Sequence, residues 1–333
     1  MSDSSTSEGL NRQIGALRRI FAENHDKYAA HAKARSVLQD MAASSVALTT
    51  MLDRHLVRSG SLNVKHYPVV SLEVETNADF GVVANCWIPL PDGGTDMSTK
   101  AIHHHGQMLL TTVTAFGPGY EHWMFTPPEP VEPESELYTM RLVERASHPI
   151  AHAAFVDANV GHVPFFPASL SITLALWSSR RATTWRDNIK RVPSLHKHSM
   201  ALRKIAASAG LTGLLDLKIA RYFDFFPVAE GFRGMKEREE FGRGPNTDYL
   251  RSLFHILQRT GNEGLAPRVR AALNAGVVEN RELLETLLTD LDRGVPIQGR
   301  LSAGHYGVPF ANFSAKAVEQ ALAACATHGT LSA

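Results

Sequence analysis

The sequence predicts an α+β protein, with an antiparallel β-sandwich or small barrel set between an N-terminal and a C-terminal helical region. Three observations carry this. Apolar residues recur at helical spacing from Leu10 to about Leu56. From Tyr67 to Trp177 the texture changes to short β-branched and aromatic runs separated by Gly, Pro, Asp and Asn, with no helical pattern between them. After Arg180 the helical period returns. The expected division is 1–60 helical, 61–180 barrel and 181–333 helical.

Leu10, Ile14, Leu17 and Phe21 make the first stripe, and Leu38, Met41, Val46, Leu48, Leu52 and Leu56 the second, with Asn24-His25-Asp26 as a break between two helices. Ser59-Gly60-Ser61 closes the section as a turn. Strands are expected over Val69–Val74, Phe80–Ile88, Ala101–Phe116, Glu121–Phe125, Leu137–Glu144, Ile150–Phe155 and Leu170–Trp177. Strands at this spacing make a sandwich or barrel. The Pro-rich, acidic segment Thr126–Glu134 reads as a surface connection, with a lid as the other possibility. Farther on, helices are expected around Leu195–Ala207, Leu211–Tyr222 and Asp248–Gln258. Two more follow, one capped by Asn280 with Leu283, Leu284, Leu287, Leu288 and Leu291 on one face, and one capped by Ser314. Gly231–Pro245 reads as a solvated loop.

The 333 residues suit one large domain or two to three modest ones. Lys plus Arg (34) nearly cancels Asp plus Glu (33), which gives no global pull toward nucleic acid or an acidic membrane surface. The expected partner is a small-molecule substrate, with a homodimer possible. Arg180, Arg181, Arg186, Lys190, Arg191, Lys197, Arg203 and Lys204 read as the solvated side of connecting helices. Two distant cysteines, Cys86 and Cys325, point to a reducing compartment, and neither an apolar leader nor a run of 18 apolar residues occurs, so a cytoplasmic location is expected.

Histidine is the unusual component: of 16 in the chain, His103, His104, His105, His122, His148, His152 and His162 fall within one short stretch. In a strand alternate side chains share a face, so His103 and His105 point one way and His104 the other. Two imidazoles so placed can share a metal ion. A surface cluster is the competing reading, and its weight falls once a third ligand is found. His162, in Val160-Gly161-His162-Val163-Pro164, is that third candidate.

At these residues the chain resembles the cupin superfamily, whose first motif runs His-x-His, then Glu, then Gly, and whose second runs Pro-x-Gly-x-x-His. His103, His105 and Gly117 match the first motif, with Leu110 at the Glu position; Asp157-x-Asn159-x-x-His162 stands in for the second. Asn is suited to the left-handed conformation that Gly supplies there. The resemblance implies an antiparallel cupin β-barrel of jelly-roll type with a metal on His103, His105 and His162. Without the Glu, the site is similar to the three-histidine thiol (cysteine) dioxygenase type, as is the run from Gly161-His162-Val163 to Leu176-Trp177-Ser178. That family's Ser-His-Tyr triad falls on Thr173, Ala175 and Trp177, and its crosslinking cysteine on Leu110, so neither is present. The likeness spans roughly residues 67–179.

Three neutral imidazoles at about 2.0 to 2.1 Å leave positions on a divalent ion open to water, substrate and O2. Fe(II) is the expected cofactor with O2 as co-substrate, and zinc, nickel or copper also fit such ligands. Glu121 and His122 are candidates for a fourth ligand or general base. Arg141 and Arg145, four apart, are candidates to hold a substrate carboxylate. Trp87, Trp123, Phe125 and Trp177 are candidates for cavity or core. The expected activity is a mononuclear non-haem iron oxygenase acting on a small polar molecule such as an amino acid or thiol. The alternatives are a metal-dependent isomerase, lyase or hydrolase, and a non-catalytic ligand-binding cupin.

Overall fold

The computed structural model describes residues 3–64, 69–181, 223–235, 245–299 and 313–330. The expected helices at Leu195–Ala207 and Leu211–Tyr222, and the basic segment beyond Arg181, lie outside the described residues.

Three helices open the chain: α1 (Asp3–Glu23), α2 (Lys27–Ala42) and α3 (Ser45–Val57). Asp26 caps α2 by accepting from the Tyr28 amide, and Ser44 caps α3 by accepting from the Ala47 amide, so a second break follows the expected one. Leu10, Ile14, Leu17 and Phe21 are all buried, as their spacing predicts.

Strands β1 (Val69–Thr76), β2 (Gly81–Trp87), β3 (Ile102–His103), β4 (Met108–Phe116), β5 (Glu121–Phe125), β6 (Glu129–Pro130) and β7 (Leu137–Thr139) follow. Next come β8 (Leu142–Ser147), β9 (Ala153–Val156), β10 (Gly161–Pro164) and β11 (Ser171–Ser179). One sheet has the order β1-β2-β11-β4-β9 and the other contains β3-β10-β5-β8, every pairing antiparallel. Taken in chain order, β2, β3, β4, β5, β8, β9, β10 and β11 fall as one-eight-three-six in the first sheet and two-seven-four-five in the second. That arrangement is a jelly roll of two Greek keys, the cupin fold.

Two expected strands are each divided. Ala101–Phe116 breaks between β3 and β4, where Gly106 has φ +59°, and Leu137–Glu144 breaks between β7 and β8. The region after Arg180 is also not all helical. Strands β12 (Asp224–Val228) and β13 (Gly231–Gly234) extend the second sheet, with β12 paired to β3 and β13 to β7. Part of the expected Gly231–Pro245 loop is therefore sheet. Helices α4 (Asn246–Arg259), α5 (Ala266–Asn274), α6 (Arg281–Asp292) and α7 (Ala315–Thr330) complete the described chain. Among the described residues no helix is long and apolar enough to cross a membrane.

Both outer faces of the barrel are covered. Val82, Ala84 and Cys86 of β2 and Ile172, Leu174 and Leu176 of β11 pack with Leu17, Leu38, Met51, Leu253 and Leu288 of the helices. On the second sheet, Trp123, Phe125 and Phe225 meet Val318, Ala321 and Cys325 of α7. Alternation then turns the other residues of the same strands inward.

Two buried histidines pin helices in place. His31 Nδ1 lies 2.8 Å from Thr111 Oγ1 and its Nε2 lies 3.0 Å from Ser178 Oγ, while His55 Nε2 lies 2.6 Å from Tyr249 Oη. Burial pushes both imidazoles down to about 4. The unfolded chain takes up these protons near pH 6.5, and the folded chain only near 4. The stability they contribute above the higher value is therefore lost as pH falls between the two, by roughly 3 kcal/mol for each. The urea midpoint is expected to drop between pH 7.5 and 4.5, and less so in His31→Asn; a flat profile in the wild type contradicts this.

Candidate metal centre

His103 ends β3, and His162 lies directly opposite it on β10, with ring centroids 4.1 Å apart. His105 follows in the turn, its ring 4.9 Å from His103 and 5.0 Å from His162. One nitrogen from each of the three lies within 4.8 Å of the others. The same-face reading of His103 and His105 presumed a continuous strand. The structure brings them together differently, because the chain turns at Gly106, where Asn159 N donates to Gly106 O (2.8 Å) and Met108 N to His105 O (3.2 Å). Asn159 has φ +62°, the left-handed conformation expected of it. His104 faces away and stacks on Phe223 and Phe225 at 5.0 and 6.1 Å.

Unsatisfied nitrogens test whether these residues fit a metal. His103 Nδ1 lies 3.1 Å from Ala101 O. A carbonyl only accepts, so Nδ1 carries the proton and Nε2 the lone pair. His103 Nε2 and His162 Nδ1 are buried with no hydrogen-bond partner, which is costly unless a ligand takes the lone pair. Burial first, then the Lys100 charge, holds His103 well below the usual imidazole range; burial and then His103 do the same for His162. Both are thus neutral, the form that binds a metal. An ion about 2.1 Å from each nitrogen spans at most about 4.2 Å between two of them, so small side-chain rotations close the set.

The centre opens into a cavity of about 330 Å³ inside the barrel. Its walls are the inward residues of alternating strands: Val83, Asn85 and Trp87 from β2, Leu110 and Thr112 from β4, and Thr173, Ala175 and Trp177 from β11. Leu110, at the position of the missing carboxylate, thus faces the cavity, and so do the three residues at the triad positions. Tyr120 is buried among them, with its hydroxyl hydrogen-bonded to Thr112 and Thr173, and burial pushes it up to about 12. Trp87 Nε1 donates to Thr173 Oγ1 at 2.9 Å.

His122 reaches the cavity from β5, with its ring 5.2 Å from His162 and 4.9 Å from His148, and its buried Nδ1 has no partner. It is not within ligand distance of the whole set. Glu121, Arg141 and Arg145 do not line the cavity. Strand alternation places Glu121 opposite to His122, where it accepts from Arg145 Nε (2.6 Å) and Trp123 Nε1 (2.5 Å). Arg145 lies over the Trp123 ring at 4.5 Å. Arg141 precedes β8 and borders a separate hollow with Cys325. Trp87 and Trp177 are cavity wall, whereas Trp123 and Phe125 are core. None of Thr126–Glu134 is among the described residues that line the cavity.

Sequence reasoning missed Lys100 and Tyr120. Lys100 is half-buried at the cavity, and Thr99 fixes its approach by donating to Pro164 O from its amide (2.9 Å) and its hydroxyl (3.0 Å). Asp224 pairs with His103 and so shares its face of the sheet. It has partners of its own and lies outside both the ligand set and the cavity wall.

No family model and no curated protein matches the sequence. Solved structures similar to part of the chain include TT1209 from Thermus thermophilus, at 13% identity over 35% of this chain and 90% of that one, with a TM-score of 0.24. Another is KdgF from Halomonas sp., at 15% identity over 34% and 82%, with a TM-score of 0.23. A third is an RmlC-like cupin from Shewanella frigidimarina, at 10% identity over 34% and 77%, with a TM-score of 0.22. The strand order, rather than these low scores, carries the fold assignment.

Proposed function

We propose that the protein is a mononuclear metal enzyme of the cupin fold, specifically a non-haem iron oxygenase acting on a small polar molecule. The observation that carries this reading is a three-histidine cluster, with two orphaned buried nitrogens, facing a cavity of the barrel. Fe(II) bound by His103, His105 and His162 would supply open coordination positions for substrate and O2. The protein supplies the remainder. Ala101 O fixes the His103 ring through Nδ1–H. Trp87, Trp177, Leu110 and Val83 exclude water, and Tyr120, held by Thr112 and Thr173, presents a hydroxyl for hydrogen bonding.

A non-oxidative metal lyase, isomerase or hydrolase is the second reading, because His122 and Tyr120 put a proton acceptor and a proton donor beside the centre. Oxygen consumption separates the two. Chain purified without added chelator is expected to hold about one iron and to take up O2 only when a substrate is present; turnover under strict anaerobiosis, or with zinc and not iron, supports the second reading.

A further inference from the structure

We propose that the substrate carries an uncharged, apolar body held at the end of the cavity walled by Val83, Met108, Leu110 and Trp177, and that Trp177, seated on Gly81, sets how long that body can be. The inference rests on the metal reading of the three histidines and narrows its substrate class: the polar group is confined to the end that meets the ion.

The first argument is apolar surface left open. Val83, Met108, Leu110 and Trp177 all line the cavity, and each stays partly exposed. None of the four belongs to an apolar core cluster among the described residues, whereas their outward neighbours Val82 and Leu176 are completely buried. Apolar surface open inside a barrel is what a ligand with an apolar body covers. The polar side chains that β2, β4 and β11 turn inward lie farther along and are already joined. The Tyr120 hydroxyl is bonded to Thr112 and Thr173, Trp87 Nε1 donates to Thr173 Oγ1 (2.9 Å), and Ser71 Oγ donates to Asn85 Oδ1 (2.8 Å).

The second argument is the glycine beneath the indole. Gly81 lies directly opposite Trp177 in the β2–β11 pairing. A Cβ on it would stand 2.5 Å from Cζ2, 2.6 Å from Cε2 and 2.9 Å from Nε1 of Trp177, so the ring rests on bare backbone. The φ of Gly81 is outside the left-handed region, so the backbone itself does not call for glycine. A strand position without a side chain also weakens the sheet. What the missing Cβ provides is room for the indole. On its other side Trp177 meets Leu110, its partner on β4, which closes a shift along that row. An indole lifted off Gly81 would therefore stand over the cavity and shorten it.

The third argument is placement. Met108 N donates to His105 O at 3.2 Å, which sets the apolar end beside one of the three histidines. A ligand whose head group reaches the ion thus lays its body against Met108 and Leu110, with the indole in the same row. The volume of about 330 Å³ suits a molecule of modest size.

The test is a series of neutral probes, phenol and its 4-ethyl, 4-propyl, 4-butyl and 4-pentyl derivatives. Each is titrated calorimetrically, without oxygen, into chain loaded with Fe(II) and into metal-free chain. In the wild type, affinity is expected to rise about fourfold per methylene up to a limiting chain length and then to fall. Trp177→Leu should move that limit to a longer chain and Gly81→Ala to a shorter one, with Trp177→Phe between wild type and Trp177→Leu. An indole with a structural role alone would weaken every probe alike and leave the limit in place. A series that does not rise or has no limit, a limit that Trp177→Leu does not lengthen or that folded Gly81→Ala does not shorten, or no saturable binding of any phenol overturns the proposal. Should Gly81→Ala fail to fold, the two Trp177 variants decide. A chain that holds no iron yet shows the series and its shift overturns the metal reading alone.

Discussion

His162→Ala is expected to empty the centre, with metal content falling from about one ion per chain to a small fraction and affinity dropping by about a hundredfold or more, the upper end of what loss of a supporting contact alone costs. His162 is one of three nitrogens within 4.8 Å, and a pair of imidazoles cannot hold an ion against water as three do. Elemental analysis of the purified chain checks this directly. Thermal unfolding adds a second reading, because metal at 100 times its dissociation constant stabilises the wild type by about 2.7 kcal/mol and the variant by little. Removing the ring also removes a buried nitrogen without a partner, worth about 1 to 3 kcal/mol in the metal-free protein, which offsets part of the lost packing. The metal-free variant should therefore stay folded, and retention of wild-type metal content would refute the assignment.

Gly119→Ala is expected to cost more stability than any surface change, of the order of 3 to 5 kcal/mol. The residue sits at φ +79°, and a Cβ there would lie 1.7 Å from His148 O. That carbonyl cannot move freely, since it accepts from Thr114 Oγ1 at 2.8 Å while His148 N donates to Tyr120 O at 3.0 Å. Relief of the overlap has to come from the β4–β5 connection, which carries Tyr120 and His122 into the cavity. Gly93→Ala is the control, with a similar φ of +71° but nothing within 4 Å of the new atom. Conformational strain alone costs it about 1 to 2 kcal/mol. Urea midpoints of the two variants separate contact from strain, and equal losses would show that the His148 contact does not matter.

The helical stripes were legible because they rest on a local rule; His103, His105 and His162 do lie together, although the strand alternation invoked for the first two does not hold across the turn at Gly106. Helix α1 buries Leu10, Ile14, Leu17 and Phe21, the stripe that a 3.6 period selects, and Asn159 adopts the left-handed turn that its side chain tolerates. What was illegible depends on partners distant in sequence. Asp224-Phe225-Phe226-Pro227-Val228 and Gly231-Phe232-Arg233-Gly234 carry Pro and Gly that argue against strands, yet pairing with Ile102–His103 and with Leu137–Tyr138 makes them sheet. Arg141 and Arg145 share parity in sequence, but the break before β8 and the stacking of Arg145 on Trp123 put them outside the barrel. Lys100 precedes a strand of two residues and shows no local pattern. Only closure of the barrel brings it to the histidines.

That two-residue strand also governs when the site can come into being. His103 is flanked by β10 on one side and by β12 on the other, and the neighbouring His104 amide donates to Phe223 O at 3.0 Å. All three histidines have emerged by residue 162, but one neighbour of β3 follows only some 60 residues later. During synthesis the three histidines are thus exposed before one strand that flanks His103 exists, and the arrangement that could hold an ion is completed only with the last third of the chain.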